Sequence, residues 1–169
     1  MLTRKQLWAP WRIDFITAPK KSGCFICEKS KAKSKHDKIK NHVIAHGKTC
    51  YILLNDYPYS AGHLMISPIR HLSELEELTA KELNEFMELT IRAKNILTRV
   101  MNPQGFNIGL NLGDAAGAGH KIHLHQHIVP RWNGDANFTT TIGNIRVLPE
   151  ALEVTTKKLI EAYQAQYGN

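Results

Sequence analysis

Short apolar blocks separated by turn residues flank one long segment of helical spacing in this chain of 169 residues. Val43–Ala45 and Cys50–Leu54 read as strands, divided by the turn residues His46-Gly47-Lys48. Asn55-Asp56-Tyr57-Pro58 and Ser60-Ala61-Gly62 mark further turns, and His63–Pro68 reads as the next strand. Thr79-Ala80-Lys81-Glu82 has the form of a capping box, a hydroxyl at the cap with a carboxylate three residues later. Apolar or small residues then recur at Leu83, Phe86, Met87, Thr90, Ala93, Leu97 and Val100, which predicts one long helix ended by Pro103 and Gly105. Phe106–Leu112 reads as a strand, Gly113–Gly119 as a loop of small residues, Ile122–Val129 as a strand and Pro149–Ala165 as a C-terminal helix with Leu152, Leu159 and Tyr163 on one face. Strands before and after one long helix predict an α+β fold with an antiparallel sheet. No repeat, heptad or composition break divides the chain, so 1–169 reads as a single domain.

Composition narrows the class. A hydrophobic fraction of 43% and a charged fraction of 22% are ordinary for a globular protein. No apolar run approaches the ~18–20 residues of a membrane span, and the start MLTRKQLWAPWR lacks the apolar core of a signal peptide. A cytoplasmic location with no membrane partner is the expectation. Trp8, Trp11 and Phe15 are costly in water, so the arm 1–23 is expected to wrap onto the core or a partner subunit. The net charge of +7 is concentrated in a lysine-rich segment, read as a solvated basic loop over 28–41. That segment lacks interleaved aromatics, so nucleic acid is not the expected partner. His36, His42 and His46 sit in polar stretches and read as surface residues, and Cys50 as a buried small residue.

The chemistry is concentrated in HLHQHIVPRW. His123, His125 and His127 stand at alternate positions, the period of a strand, so their imidazoles leave one face roughly 6.5–7 Å apart. Such a row can serve as a three-histidine metal centre with an open position, or as a covalent site in which the middle ring attacks an electrophile. The preceding NLGDAAGAGHK favours the second use. Its glycines allow close backbone approach to an anion, Asn111 adds a donor, and Lys121 and Arg131 add positive charge.

HLHQHIV at 123–129 resembles the signature of the histidine triad (HIT) family, alternating histidine with hydrophobic residues. LLNDYPYSAGHLMISPIRHLSEL (53–75) and NLGDAAGAGH (111–120) resemble that family's upstream blocks. LWAPWR, GCFIC and PRWNGDANF are similar to a bacterial branch that includes diadenosine tetraphosphate phosphorylases. The resemblance implies a HIT-like fold and an enzyme acting on phosphoanhydride bonds of dinucleoside polyphosphates, by hydrolysis or by transfer to inorganic phosphate. It implies His125 as the nucleophile on the α-phosphorus, His123 as the carbonyl that fixes its tautomer, and His127 as a phosphate ligand, with His63 supporting them. Asn55 is implied near the ribose. Asn111, Gly119, His120, Lys121 and Trp132 are implied around the adenine nucleotide and its phosphates. No organic cofactor is implied. Relatives so resembled are homodimers joined through the long helix and adjoining strand. A phosphoramidase, or a binding module without turnover, is the alternative.

Two positions depart from the pattern. Gln126 stands where the signature has an apolar residue, which questions the packing behind the strand. His120 stands where relatives carry Ser or Thr to assist the leaving group, and reads either as a proton donor or phosphate ligand, or as an exposed loop residue. The pair Cys24-Phe-Ile-Cys27 needs two more ligands to hold zinc. The resemblance implies His71 and His123 as those ligands of a structural Zn²⁺ site, against a reading as two packed, reduced cysteines.

Overall fold

The computed structural model describes residues 23–116, 120–135, 142 and 148–168. The expected N-terminal arm before Gly23 and Gly119 of the small-residue loop lie outside them. The described elements are helices α1 (Phe25–Lys29) and α2 (Lys35–Lys40), strands β1 (Val43–His46), β2 (Cys50–Leu54) and β3 (Leu64–Pro68), the long helix α3 (Ala80–Met101), β4 (Gly105–Leu110), β5 (Gln126–Arg131) and the C-terminal helix α4 (Leu152–Tyr167). All strand pairs are antiparallel, in the order β1-β2-β3-β5-β4. The α+β expectation therefore holds. Among the described residues no helix is long and apolar enough to cross a membrane.

Register divides the sheet into two faces. One row of partners runs Val43, Leu53, Met65, His127, Gly109 across all five strands. A neighbouring row, of opposite facing, runs Ile52, Ile66, Gln126, Leu110. The second face packs on α3 and α4 in the main core, where Ile52, Leu54, Leu64, Ile66 and Ile128 meet Phe86, Leu89, Ala93, Ile96, Leu97, Leu159 and Ile160. Val43, Tyr51, Leu53 and Met65 on the first face are covered by Ile26 of α1 and by Ala32. That cover stops at Met65, so the histidine end of the same face is left for a site.

The capping box predicted at Thr79 and Glu82 starts α3, with both of its reciprocal hydrogen bonds present. Its buried stripe is rotated from the predicted one. Leu83 and Met87 are exposed, while Leu89 and Ile96 are buried. The two-layer packing against sheet and α4 selects that face, and the periodicity alone admits a wider arc. The basic segment 28–41 is not a loop. Ser34 accepts a hydrogen bond from the Asp37 amide and caps α2, and α1 seats Ile26 in the core. His42 and His46 are not surface residues either. His42 Nδ1 lies 2.8 Å from Asp56 Oδ1, and His46 Nε2 donates to the Ser30 carbonyl while its ring stacks on Tyr51. The histidine strand begins at Gln126 rather than Ile122. The β3–β5 ladder stops at the Ile66–Gln126 pair, since Pro68 has no N–H with which to extend it, and Leu124 N turns instead to the Leu72 carbonyl. Likewise β4 ends at Leu110, and 114–116 of the small-residue loop form a 3-10 turn. Gln126 is buried, and its Oε1 accepts a 2.6 Å hydrogen bond from the Thr90 hydroxyl, so the departure from the apolar pattern carries its own partner on α3.

Candidate active site and cysteine–histidine cluster

His125, His127 and His63 form a chain of rings whose protons are fixed by the backbone. His125 Nδ1 lies 2.8 Å from the carbonyl of His123, which can only accept, so Nδ1 carries the hydrogen and Nε2 keeps its lone pair. The Tyr59 amide lies 3.1 Å from His63 Nδ1 and can only donate, so that nitrogen carries the lone pair and Nε2 the hydrogen. His63 Nε2 then donates to His127 Nδ1 at 3.0 Å, which leaves the His127 proton on Nε2; that nitrogen and Asn111 Nδ2, 3.5 Å apart, are then both donors and do not bond to each other. The site thus offers one lone pair at His125 and one N–H donor at His127, on rings 5.0 Å apart. Burial, and then the neighbouring His125, push the His127 pKa down to about 4, so it is a neutral donor at pH 7. His63 is fully buried between Tyr59 and His127.

These rings face space. A cavity of about 460 Å³ is lined by Phe25, Asn55, Asp56, Tyr57, Tyr59, Met65, His120, His125 and His127. Gly109 pairs with His127 in the ladder, and a Cβ there would meet nothing within 4 Å, so no side chain is pressed against the ring from β4. A smaller cavity of about 150 Å³ adjoins His123 and His125, with Asn111, Gly113, His120 and Lys121 in its wall. The structure therefore brings Asn55, Asn111, His120 and Lys121 to the two cavities. Trp132 is the exception. It follows β5, five residues beyond His127, bonds through its amide to Asp135, and lines neither cavity. The family resemblance implied it at the nucleotide, but the strand direction carries it past the two cavities.

Several lining residues were missed in the sequence. Tyr57 and Tyr59, 61% and 47% exposed, line the larger cavity together with Phe25 of α1. Asp56 sits beside them. Burial pushes its pKa up, but His42 and the Lys29 ammonium, 2.8 and 2.7 Å away, outweigh burial and hold it below the usual carboxylate range. The spacing of aromatics ahead of Gly62-His63 was the available signal.

His123 turns away from the cavity rings towards the cysteines. Its Nδ1 lies 3.1 Å from Cys24 Sγ and 3.3 Å from Cys27 Sγ, and His71 Nδ1 lies 3.2 Å from Cys27 Sγ. The ligand atoms of Cys24, Cys27, His71 and His123 all lie within 4.8 Å of one another. Tetrahedral zinc with bonds of ~2.3 Å to sulfur and ~2.0 Å to nitrogen separates its ligands by about 3.5 Å, so the spacing fits one ion. The donor chemistry fits as well. His123 Nε2 donates to the Pro68 carbonyl at 2.9 Å, which leaves the Nδ1 lone pair aimed at the thiols, the usual support for a metal-bound imidazole. Burial and the adjacent Cys24 push the Cys27 thiol up to about 11, against a smaller opposing pull from the Lys31 ammonium. His120 is half-buried rather than freely exposed. Its Nε2 is 3.1 Å from Cys24 Sγ and its ring packs edge-on against Phe25, between the cluster and both cavities.

Comparison with known proteins agrees with this geometry. The HIT domain model matches residues 36–134. The chain is 41% identical over 167 residues to AP-4-A phosphorylase of Mycobacterium tuberculosis, covering 96% of this chain and 86% of the relative. It is 28% identical over 98 residues to bis(5'-nucleosyl)-tetraphosphatase [asymmetrical] of Schizosaccharomyces pombe, covering 57% of this chain and 53% of the relative. The crystal structure of a Zn-bound histidine triad family protein from Mycobacterium smegmatis superposes with a TM-score of 0.65 at 24% identity, covering 85% of this chain and 94% of that one. A sheet with its histidines in register, the matched domain model and the extended likeness in sequence lead to one assignment: the chain belongs to the HIT family.

Proposed function

We propose that this protein cleaves dinucleoside polyphosphates by nucleotidyl transfer through His125, with inorganic phosphate as the acceptor. The observation that carries the reading is the hydrogen bond from His125 Nδ1 to its own strand's carbonyl at His123, which leaves Nε2 as a lone pair on a ring bordering the cavity. The likeness to an AP-4-A phosphorylase supports the substrate class.

In the first step the Nε2 lone pair of His125 forms a bond to the α-phosphorus of diadenosine tetraphosphate. The bond from that phosphorus to its bridging oxygen breaks, and ATP leaves. The imidazolium so formed keeps its Nδ1 proton on the His123 carbonyl, which disperses the positive charge. The His127 Nε2–H and the Asn111 amide donate to the phosphoryl oxygens, where charge builds in the transition state. Inorganic phosphate then attacks the same phosphorus, the P–N bond breaks, ADP leaves and His125 is restored. Water in place of phosphate gives AMP. Tyr57, Tyr59 and Phe25 would provide flat apolar surface for the base, and Asn55, which lines the same cavity, would approach the ribose. His120 and Lys121, which line the smaller cavity beside His125, would meet the leaving polyphosphate. Incubation with diadenosine tetraphosphate and labelled phosphate tests the reading. Labelled ADP with unlabelled ATP supports it, AMP with ATP makes the enzyme a hydrolase, and turnover of an adenosine phosphoramidate alone makes it a phosphoramidase.

Cys24, Cys27, His71 and His123 would hold Zn²⁺ in this account, and the ion would supply a closed structural clamp between α1, the segment after β3 and the histidine segment. The chain would work as a single domain in the reducing cytoplasm, in keeping with three cysteines that form no disulfide. It would do so as a homodimer. Leu83, Met87 and Ile91 form an exposed row at every fourth residue of α3, and Ile108 of β4 is also exposed, an apolar surface suited to a second copy.

A further inference from the structure

Within the segment 28–41, Lys31, Lys33, Lys35 and Lys40 are exposed and Lys38 is half-buried. Lys33, Lys35 and Lys38 line one cavity of about 330 Å³, closed on its other side by Ile160 and Gln164 of α4. Lys35 and Lys38 share a face of α2 through their three-residue spacing, Lys33 precedes the Ser34 cap, and Ile160 and Gln164 share a face of α4 at a spacing of four. Nothing in the catalytic account uses this place. None of its lining residues borders the histidine cavities.

We infer that this cavity is a second anion site, one that takes a phosphate chain as found in pyrophosphate or in a nucleoside polyphosphate. Charge is the first reason. Three lysines line the cavity, and among the described residues none of them has a carboxylate partner, although other basic residues of the chain do, Lys29 with Asp56 and Lys31 with Glu28 among them. The carboxylate of α2 itself, Asp37, is occupied with the Ser34 hydroxyl at 2.6 Å. Shape is the second. The cavity has the volume of a small-ligand site, at the lower end of ~300–1,000 Å³, and an apolar floor where Ile160 is buried. Loss of water by Lys38 and repulsion from Lys33 hold its ammonium below the usual lysine range, a cost that a bound polyanion removes. Three flexible point charges without a planar guanidinium suit a chain of phosphoryl oxygens better than a single carboxylate. No aromatic lines the cavity, so base stacking is not part of the recognition and single-stranded nucleic acid is disfavoured.

The test uses the full-length protein with ¹³C-labelled isoleucine methyl groups, the Ile160 resonance being assigned with Ile160→Val. Saturating AMP fills the histidine cavity first, so that failure of the catalytic reading and failure of this one are separable. Inorganic pyrophosphate and ATP are then titrated in turn. The inference predicts a saturable shift of the Ile160 methyl that weakens about tenfold or more in Lys33→Ala/Lys38→Ala and weakens with added salt. A stronger response to pyrophosphate identifies a free phosphate chain as the ligand, and a stronger response to ATP a nucleotide tail. An unmoved Ile160 resonance overturns the inference. So does a shift indifferent to the lysine replacements, or displacement of both anions by a short oligonucleotide.

Discussion

His63 and His127 share one proton donor across 3.0 Å, and its direction is set by the Tyr59 amide behind His63. Because that amide can only donate, His63 passes its hydrogen forward and His127 presents its own to the cavity. His63 is in this account a positioning residue. Replacing it with Ala frees the His127 tautomer and is expected to lower kcat about 10–100-fold, the size typical of losing an outer partner that orients a site ligand. KM should change much less. His63→Gln, which can still donate to His127, should recover part of the rate, and steady-state kinetics on the three proteins check this.

Removal of the metal should act on folding before chemistry. Cys24→Ser or Cys27→Ser, or dialysis against a strong chelator, is expected to abolish a stoichiometric zinc content of one per chain and to lower the Tm by well over ~5 °C, since structural zinc contributes directly to folding free energy. Elemental analysis with thermal unfolding measures both. Activity that follows the folded fraction supports a structural ion; loss of activity at full retention of fold would assign the ion to the reaction.

Stability should rise with pH between about 4 and 6.5. The His127 pKa is near 4 in the folded protein, against an ordinary value of 6.5, and burial shifts His46 in the same direction. Between those limits the unfolded chain binds more protons than the folded one, so acid favours unfolding; above about 6.5 both states are neutral and the effect is complete. Denaturant midpoints taken across this range check the sign, and His127→Asn should flatten the slope.

Much of the site was legible because it depends on local spacing. The alternation of His123, His125 and His127, the cap at Thr79 and the C-x-x-C are all patterns within a few residues. What escaped depends on contacts far apart in sequence. Local sequence cannot tell that Pro68 stops a ladder 58 residues before Gln126, nor that His123 turns its Nδ1 to Cys24. The arc of α3 that faces the sheet was set by its partners, which is why Leu89 and Ile96 replaced Leu83 and Met87 in the core. The lysine segment read as a solvated loop because its composition is polar; Lys31, Lys33, Lys35 and Lys40 are indeed exposed, but Ile26 and Ala32 anchor the segment and its ends are helical.

The exposed apolar row on α3 gives a simple expectation for assembly. Ile91→Asp, at a position 55% exposed, places a charge on the exposed apolar row that α3 presents with Leu83 and Met87. Sedimentation at micromolar concentration should show a dimer for the parent protein and a monomer for the variant, with the far-UV spectrum unchanged. A monomeric parent would remove the homodimer from the account.

The central claim is a covalent bond between His125 Nε2 and the α-phosphorus. Rapid mixing with diadenosine tetraphosphate, an alkaline quench that preserves phosphoramidates, and mass spectrometry of the peptides measure it directly. One adenylyl group on the peptide carrying His125, formed and consumed at rates compatible with turnover and missing in His125→Asn, is the predicted result. Turnover with no adduct on that peptide, or an His125→Asn enzyme retaining near-normal rate, would contradict it.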